Sequence, residues 1–229
     1  MSDPEMKSKL ERILAEGSGW PGTKGDWYHQ MDLGFGLKTP GAPLVNLVPV
    51  AALMKRVRFD GLKCLDLGTM DGKAAFLMEN LNAARVVAVD LFKRNTVPAL
   101  IELFGSRVEY ESGVRVEQFA ALADQHGMFD FVLCSGVLYH VYSPLDVVLG
   151  VRRVTKTGGL VLFETAALAD EKEPALHLNC GRYYGDHTTL WLPTFACVRA
   201  MLRFACFRIL DEASISIPGQ KPIRYAVIA

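Results

Sequence analysis

This sequence has no net charge, because 25 acidic residues cancel 25 basic ones over its 229 positions. Without a positive field it has little to draw in a phosphate backbone or an anionic bilayer, so nucleic acid and membrane are disfavoured as partners and a small molecule is favoured. No apolar run approaches the roughly 18 residues that a membrane span needs. The opening Met1-Ser2-Asp3-Pro4-Glu5-Met6-Lys7 has neither the basic nor the apolar region of a secretory leader, and the expected compartment is the cytoplasm. Cysteine is sparse and unpatterned: Cys64, Cys134, Cys180, Cys197 and Cys206 are odd in number and form no Cys-x-x-Cys pair. Reduced, mostly buried thiols are expected in place of disulfides or zinc, and no metal site is anticipated. Half of the residues are hydrophobic, enough for a sizeable core, and the length suits one α/β domain with an N-terminal extension.

What is there centres on residues 63–90. The apolar run Cys64-Leu65-Asp66-Leu67 stops at Gly68-Thr69-Met70-Asp71-Gly72, resumes with helical spacing through Ala74, Ala75, Leu77, Met78 and Leu81, and returns as Val86-Val87-Ala88-Val89-Asp90. That is strand, turn, helix, strand. A right-handed crossover places the glycine turn and Asp90, with Leu91 beside it, together at the carboxyl ends of two parallel strands. An adenosine-bearing ligand suits such a place: Gly68 and Gly72 let the backbone approach it, and Asp90 can accept from both ribose hydroxyls. The turn offers neither Gly-x-Gly-x-x-Gly nor a Gly-Lys-Ser/Thr ending, so it fits neither a dinucleotide fingerprint nor a phosphate loop. A nicotinamide-dependent oxidoreductase is disfavoured on that ground.

The flanking chain supplies the remaining elements. Residues 4–15 suit an amphipathic helix with Leu10, Ile13 and Leu14 on one side, and residues 17–25 a glycine-rich linker. The stretch from Trp27 to Gly41 crowds aromatic, ionisable and glycine residues without any period, as a lid or a packed surface arm would. A helix over 44–57 leads into the first strand, which divides the chain into an N-terminal segment, 1–58, and a main domain, 59–229. After Asp90 come a helix over 96–104 that stops at Gly105 and a third strand with Val116 and Glu117 at its carboxyl end. A fourth strand, 129–134, runs into Ser135-Gly136-Val137-Leu138-Tyr139-His140, beside the expected switch point. Ser143-Pro144 opens a helix that Thr157-Gly158-Gly159 ends, and a fifth strand follows over 160–165. From Ala166 to Leu192 the pattern is irregular but rich in site-type residues, among them His177, Tyr183, His187 and Trp191. After a helix through Phe195 to Ala205, two runs, 207–217 and 223–228, close the chain as an antiparallel pair.

Several of these pieces, in this order, resemble one family. The Thr69-x-Asp71-Gly72 turn, Gly136-Val137-Leu138-Tyr139-His140-x-x-Ser143-Pro144-Leu145 and Phe163-Glu164-Thr165 are similar to class I S-adenosylmethionine-dependent methyltransferases. The likeness is to the branch that includes tRNA wobble-uridine carboxymethyltransferases and shorter small-molecule methyltransferases. Trp27-Tyr28-His29-x-x-Asp32-Leu33 and Thr39-Pro40-Gly41 resemble the N-terminal segment of the short members. The resemblance implies a Rossmann-like, doubly wound, seven-stranded α/β sheet with an antiparallel last strand and an N-terminal helical and lid extension. It implies S-adenosyl-L-methionine as cofactor, held by Asp66, Gly68, Thr69, Met70, Gly72, Asp90, Leu91, Val116, Glu117, Ser135 and Tyr139. Met70 departs from the family, which mostly has glycine there. His140, with His29 second, is the candidate base, and Trp27, Tyr28, Tyr183, His187 and Trp191 are candidates for holding the methyl acceptor. A small-molecule acceptor is the expectation; a tRNA-modifying enzyme and a non-catalytic ligand-binding subunit are the alternatives.

Overall fold

In the computed structural model, residues 2–17, 27–42, 47–169, 172–181, 188–216 and 223–229 are described. Numbering only the strands of the main sheet, β1 is Lys63–Leu67, β2 Arg85–Asp90, β3 Glu109–Ser112, β4 Phe129–Ser135, β5 Thr155–Ala167, β6 Asp211–Ile215 and β7 Ile223–Ile228. The helices are α1 Asp3–Glu16, α2 Val48–Met54, α3 Lys73–Asn80, α4 Thr96–Phe104, α5 Leu122–His126, α6 Pro144–Val154 and α7 Phe195–Phe204. The sheet order is β6-β7-β5-β4-β1-β2-β3. Neighbours from β3 to β5 are parallel, and β7 alone is reversed, pairing antiparallel with both β5 and β6. The chain leaves β1 towards β2 and β3, then returns to lay β4 on the other side of β1. The switch point lies at the carboxyl ends of β1 and β4, where a doubly wound sheet opens a crevice.

Each central strand is apolar on both faces because each face is covered. Alternation along the strands sends Leu65, Leu67, Val87, Val89, Val132 and Cys134 to one side, under α6 and α7. It sends Cys64, Val86, Ala88, Phe131 and Leu133 to the other, under α2 and α3. A third cluster joins the N-terminal segment to the domain: Leu10 of α1 and Trp27, Met31 and Leu33 pack on Leu100 and Leu103 of α4. Among the described residues no helix is long and apolar enough to cross a membrane.

Four local expectations are corrected. Gly158-Gly159 does not end α6; the helix stops at Val154 and β5 starts at once, with the glycines inside it. There the register slips: Phe129 faces Thr155 but Phe131 faces Leu160, and a Cβ on Gly159 would stand 3.0 Å from the Asp130 carbonyl oxygen, so the bulge needs a residue without one. The third strand ends at Ser112, and Val116 and Glu117 instead open a 3-10 helix, Val116–Ala121. The region after Ala166 is not wholly irregular, since Leu176–Leu178 pairs with Trp191–Pro193; likewise Asp32–Gly34 pairs with Leu37–Lys38 in the arm. The cysteines are free, but Cys180 and Cys206 are exposed in loops rather than buried.

Candidate active site

The turn after β1 is built around three buried carboxyl groups, Asp66, Asp71 and Asp90. Gly68 and Thr69 both donate backbone N–H groups to the Val89 carbonyl, which ties the turn to β2. Asp90 then takes the Met70 N–H on Oδ2 at 2.8 Å and the Phe92 N–H on Oδ1 at 2.9 Å. Met70 has φ +53, so the position where the resemblance expects glycine is left-handed. Its sulfur lies 3.0 Å from Nη2 of the buried Arg94. A Cβ on Gly68 would stand 2.7 Å from Val137 Cγ2, so glycine is what allows this turn to meet the loop after β4. Two distant motifs thereby form one crevice. Beside Asp90, Leu91 and Phe92 present exposed apolar side chains.

Asp66 lies beneath the turn, where its Oδ2 accepts the Thr69 hydroxyl at 2.7 Å. Burial pushes its carboxyl up to about 7, with Asp90 nearby adding to the rise and Thr69 opposing it. In the unfolded chain the same group titrates at about 3.9. Between those values the folded state holds the extra proton, so stability falls as pH rises from about 4 to about 7. Asp66→Asn is expected to flatten that part of a plot of urea midpoint against pH; an unchanged slope would place the titration elsewhere.

On the other side of the crevice, Ser135 ends β4 and donates its hydroxyl to Glu164 Oε2 at 2.8 Å. Glu164 is in turn clamped by Arg224 of β7, Nε to Oε1 at 2.6 Å and Nη2 to Oε2 at 2.8 Å, and both side chains are buried. Arg224 Nη2 also reaches the Tyr139 hydroxyl at 3.4 Å, with the guanidinium 5.1 Å from the ring centre. Burial raises the Tyr139 phenol well above its ordinary range and Arg224 opposes the rise, so the group is a neutral donor. His140 is exposed, its ring 4.2 Å from that of Tyr139, and its Nδ1 lies 2.9 Å from the Thr188 carbonyl oxygen. A carbonyl only accepts, so Nδ1 carries hydrogen and Nε2 of the neutral ring carries the lone pair. The Leu190 N–H donates to the Tyr139 carbonyl and the Trp191 indole to the Tyr142 carbonyl, which lays the strand Trp191–Pro193 along this wall.

Val116 is half-buried and Glu117 exposed; with Tyr142, Ser143, Asp146 and Arg153 they border a groove of about 460 Å³. Trp27, expected against the acceptor, is instead buried in the cluster under α1. His29 is buried and desolvation lowers it to about 3, with Lys73 and Arg94 adding to the effect, which makes it a poor base near neutrality. Tyr183 and His187 lie outside the described residues. Arg224 was missed, although a lone cation inside the apolar run Ile223–Ile228 is the kind of residue that needs a buried partner.

These residues suit a nucleoside with an attached amino acid. The turn is left open by its glycines, a carboxylate ends β2, and polar groups gather at the ends of β4 and β5. A family model for the methyltransferase domain matches residues 43–196, more than half of the chain. The chain belongs to this family, the class I S-adenosylmethionine-dependent methyltransferases. The chain is 33% identical over 142 residues to a ubiquinone biosynthesis O-methyltransferase of Roseobacter denitrificans, covering 59% of this chain and 51% of that one. It is 28% identical over 170 residues to a tRNA U34 carboxymethyltransferase of Alcanivorax borkumensis, covering 70% and 50%. It therefore spans about half the length of these curated relatives. In fold it is similar to the 1,6-didemethyltoxoflavin-N1-methyltransferase of Burkholderia thailandensis, with TM-score 0.64, 18% identity, and 80% and 77% of the two chains covered.

Proposed function

We propose that this methyltransferase acts on a small-molecule nucleophile, an oxygen, nitrogen or sulfur atom, with S-adenosylmethionine as donor. The observation that carries the reading is the pairing of the two walls: a glycine turn closed onto Asp90 on one side, and Tyr139 with His140 in its base-competent tautomer on the other. The neutral chain adds support, having no charge excess for phosphates, as does the O-methyltransferase relative. Asp66, Gly68, Thr69, Met70, Gly72, Asp90 and Leu91 are assigned to the cofactor's ribose and amino-acid side, Val116 and Glu117 to its adenine, and Ser135 and Tyr139 to its methionine end.

The cofactor supplies an electrophilic methyl group on a sulfonium, so the protein's main task is alignment and exclusion of water. Positioning accounts for about 7–11 kcal/mol of barrier lowering in favourable cases. Tyr139 accepts from Arg224 and, staying neutral, keeps its own hydroxyl hydrogen to donate to the ligand. His140 Nε2 takes the proton of a hydroxyl acceptor; a thiolate or thioether acceptor needs no base. Trp191 and Tyr28 form the acceptor's surroundings, together with Tyr183 and His187 in the reading from sequence.

Asp90→Ala is expected to weaken S-adenosylhomocysteine binding by about 1.5–3 kcal/mol, the usual loss for hydrogen bonds to a charged group. Calorimetric titration of the folded variant measures it, and unchanged affinity would remove the cofactor assignment. Labelled S-adenosylmethionine incubated with a metabolite extract, then with total tRNA, decides the acceptor. A second reading, tRNA modification, rests on the carboxymethyltransferase relative, and label appearing only in tRNA would establish it. No transfer to either, with cofactor binding intact, would favour a ligand-binding subunit.

A further inference from the structure

Asp71 is buried in the glycine turn, but its charge is spent on another part of the chain. Its Oδ2 accepts the backbone N–H groups of Tyr28 and His29 at 2.7 and 2.8 Å, across 43 and 42 residues of sequence. Two consecutive N–H groups converging on one anion form a compact grip. Two residues further on, Lys73 donates its ammonium to the Gln30 carbonyl at 3.0 Å. Residues 28–30 are thus tied on both sides of Gly72, the start of α3.

The tied segment is itself folded. Thr39 bonds through its hydroxyl to the His29 carbonyl and to the Met31 N–H, and the Ala42 backbone pairs with Tyr28 and Gln30. A Cβ on Gly41 would stand 2.4 Å from the His29 carbonyl group, so the two passes of chain are in close contact. At its other end the arm is fixed by Trp27, Met31 and Leu33 on α4.

We propose that Asp71 and Lys73 are positioning residues that make the arm 27–42 part of the cofactor site, so that an occupied turn holds residues 28–30 in place. This rests on the cofactor reading of the turn. Because coupling is reciprocal, a ligand that orders the turn also orders the arm.

Amide hydrogen exchange of the full chain, with and without S-adenosylhomocysteine, tests the coupling. In the unsubstituted protein the ligand is expected to slow exchange in 28–31 and 39–42 by about tenfold or more. Without ligand, Asp71→Ala is expected to exchange about tenfold faster there, with the strands of the sheet unchanged, and the ligand is expected no longer to slow it. Asp71→Asn keeps an acceptor oxygen and is expected to stay near the unsubstituted protein, which a general loss of packing would not allow. Should Asp71→Ala not fold, Lys73→Met removes only the tie to Gln30 and carries the same comparison at 29–31. Equal exchange in variant and parent without ligand, or equal slowing by ligand in both, overturns the proposal. Failure of the unsubstituted protein to bind S-adenosylhomocysteine would overturn the cofactor reading and the coupling together, while the ligand-free comparison still decides whether Asp71 holds the arm.

Discussion

Glu164→Gln is expected to lower the unfolding free energy by about 3–5 kcal/mol, the loss found when one partner of a buried ion pair is removed. Arg224 makes the effect large. Its guanidinium is buried, and although burial alone would lower its pKa, Glu164 and then Tyr139 hold it well above the ordinary arginine value, so it cannot shed its charge to escape. A glutamine of the same shape offers one neutral oxygen where two charged ones stood. The contact with the Tyr139 ring supplies about 0.5–2 kcal/mol at most and cannot replace the carboxylate. Urea denaturation with an unchanged slope measures the loss. The double variant Glu164→Leu/Arg224→Met removes both charges and is expected to recover most of it, because a buried pair replaced by apolar groups is often neutral. A single-variant loss under about 1 kcal/mol would mean that water reaches the pair.

The same network shows where sequence reading succeeds and where it stops. The β1 turn, the crossover to β2 and the reversed β7 were legible because each depends on local signs: an apolar run, a glycine, a short connection between strands. Glu164 was legible as the middle of the Phe163-Glu164-Thr165 motif. Its partner was not, because Arg224 is 60 residues away and reaches it only through pairing of β7 with β5, in which Ala226 faces Glu164 and Arg224 is the diagonal neighbour. Asp71 was legible as part of a motif, but its partners, 42 and 43 residues upstream, follow from the path of the arm. The burial of Trp27 and His29 was not legible, for one reason. Aromatic and ionisable residues crowded without a period suit a lid lining a pocket, and equally an arm that buries its own aromatics; only α4 beneath the arm decides between them. Gly158-Gly159 shows the limit in miniature, since a glycine pair signals a helix stop and a bulge alike.

His140→Ala is expected to reduce turnover by about 10²- to 10⁴-fold with a hydroxyl acceptor, while S-adenosylhomocysteine affinity stays nearly unchanged. The adjacent residues are expected to have separate roles although their rings touch: Tyr139 is buried against Arg224, whereas His140 is exposed and held by the Thr188 carbonyl. Tyr139→Phe should accordingly raise the cofactor's Kd and leave proton transfer intact. The pH–rate profile separates His140 from the other histidine nearby. His29, lowered to about 3 by burial, is expected to contribute no limb near neutrality. An acid limb that disappears in His140→Ala therefore belongs to His140, and its persistence would exclude that ring as the base. A fall below about tenfold with the profile intact would point to an acceptor that is already nucleophilic, a thiolate, thioether or ring nitrogen, and would leave alignment between the two walls as the protein's whole contribution.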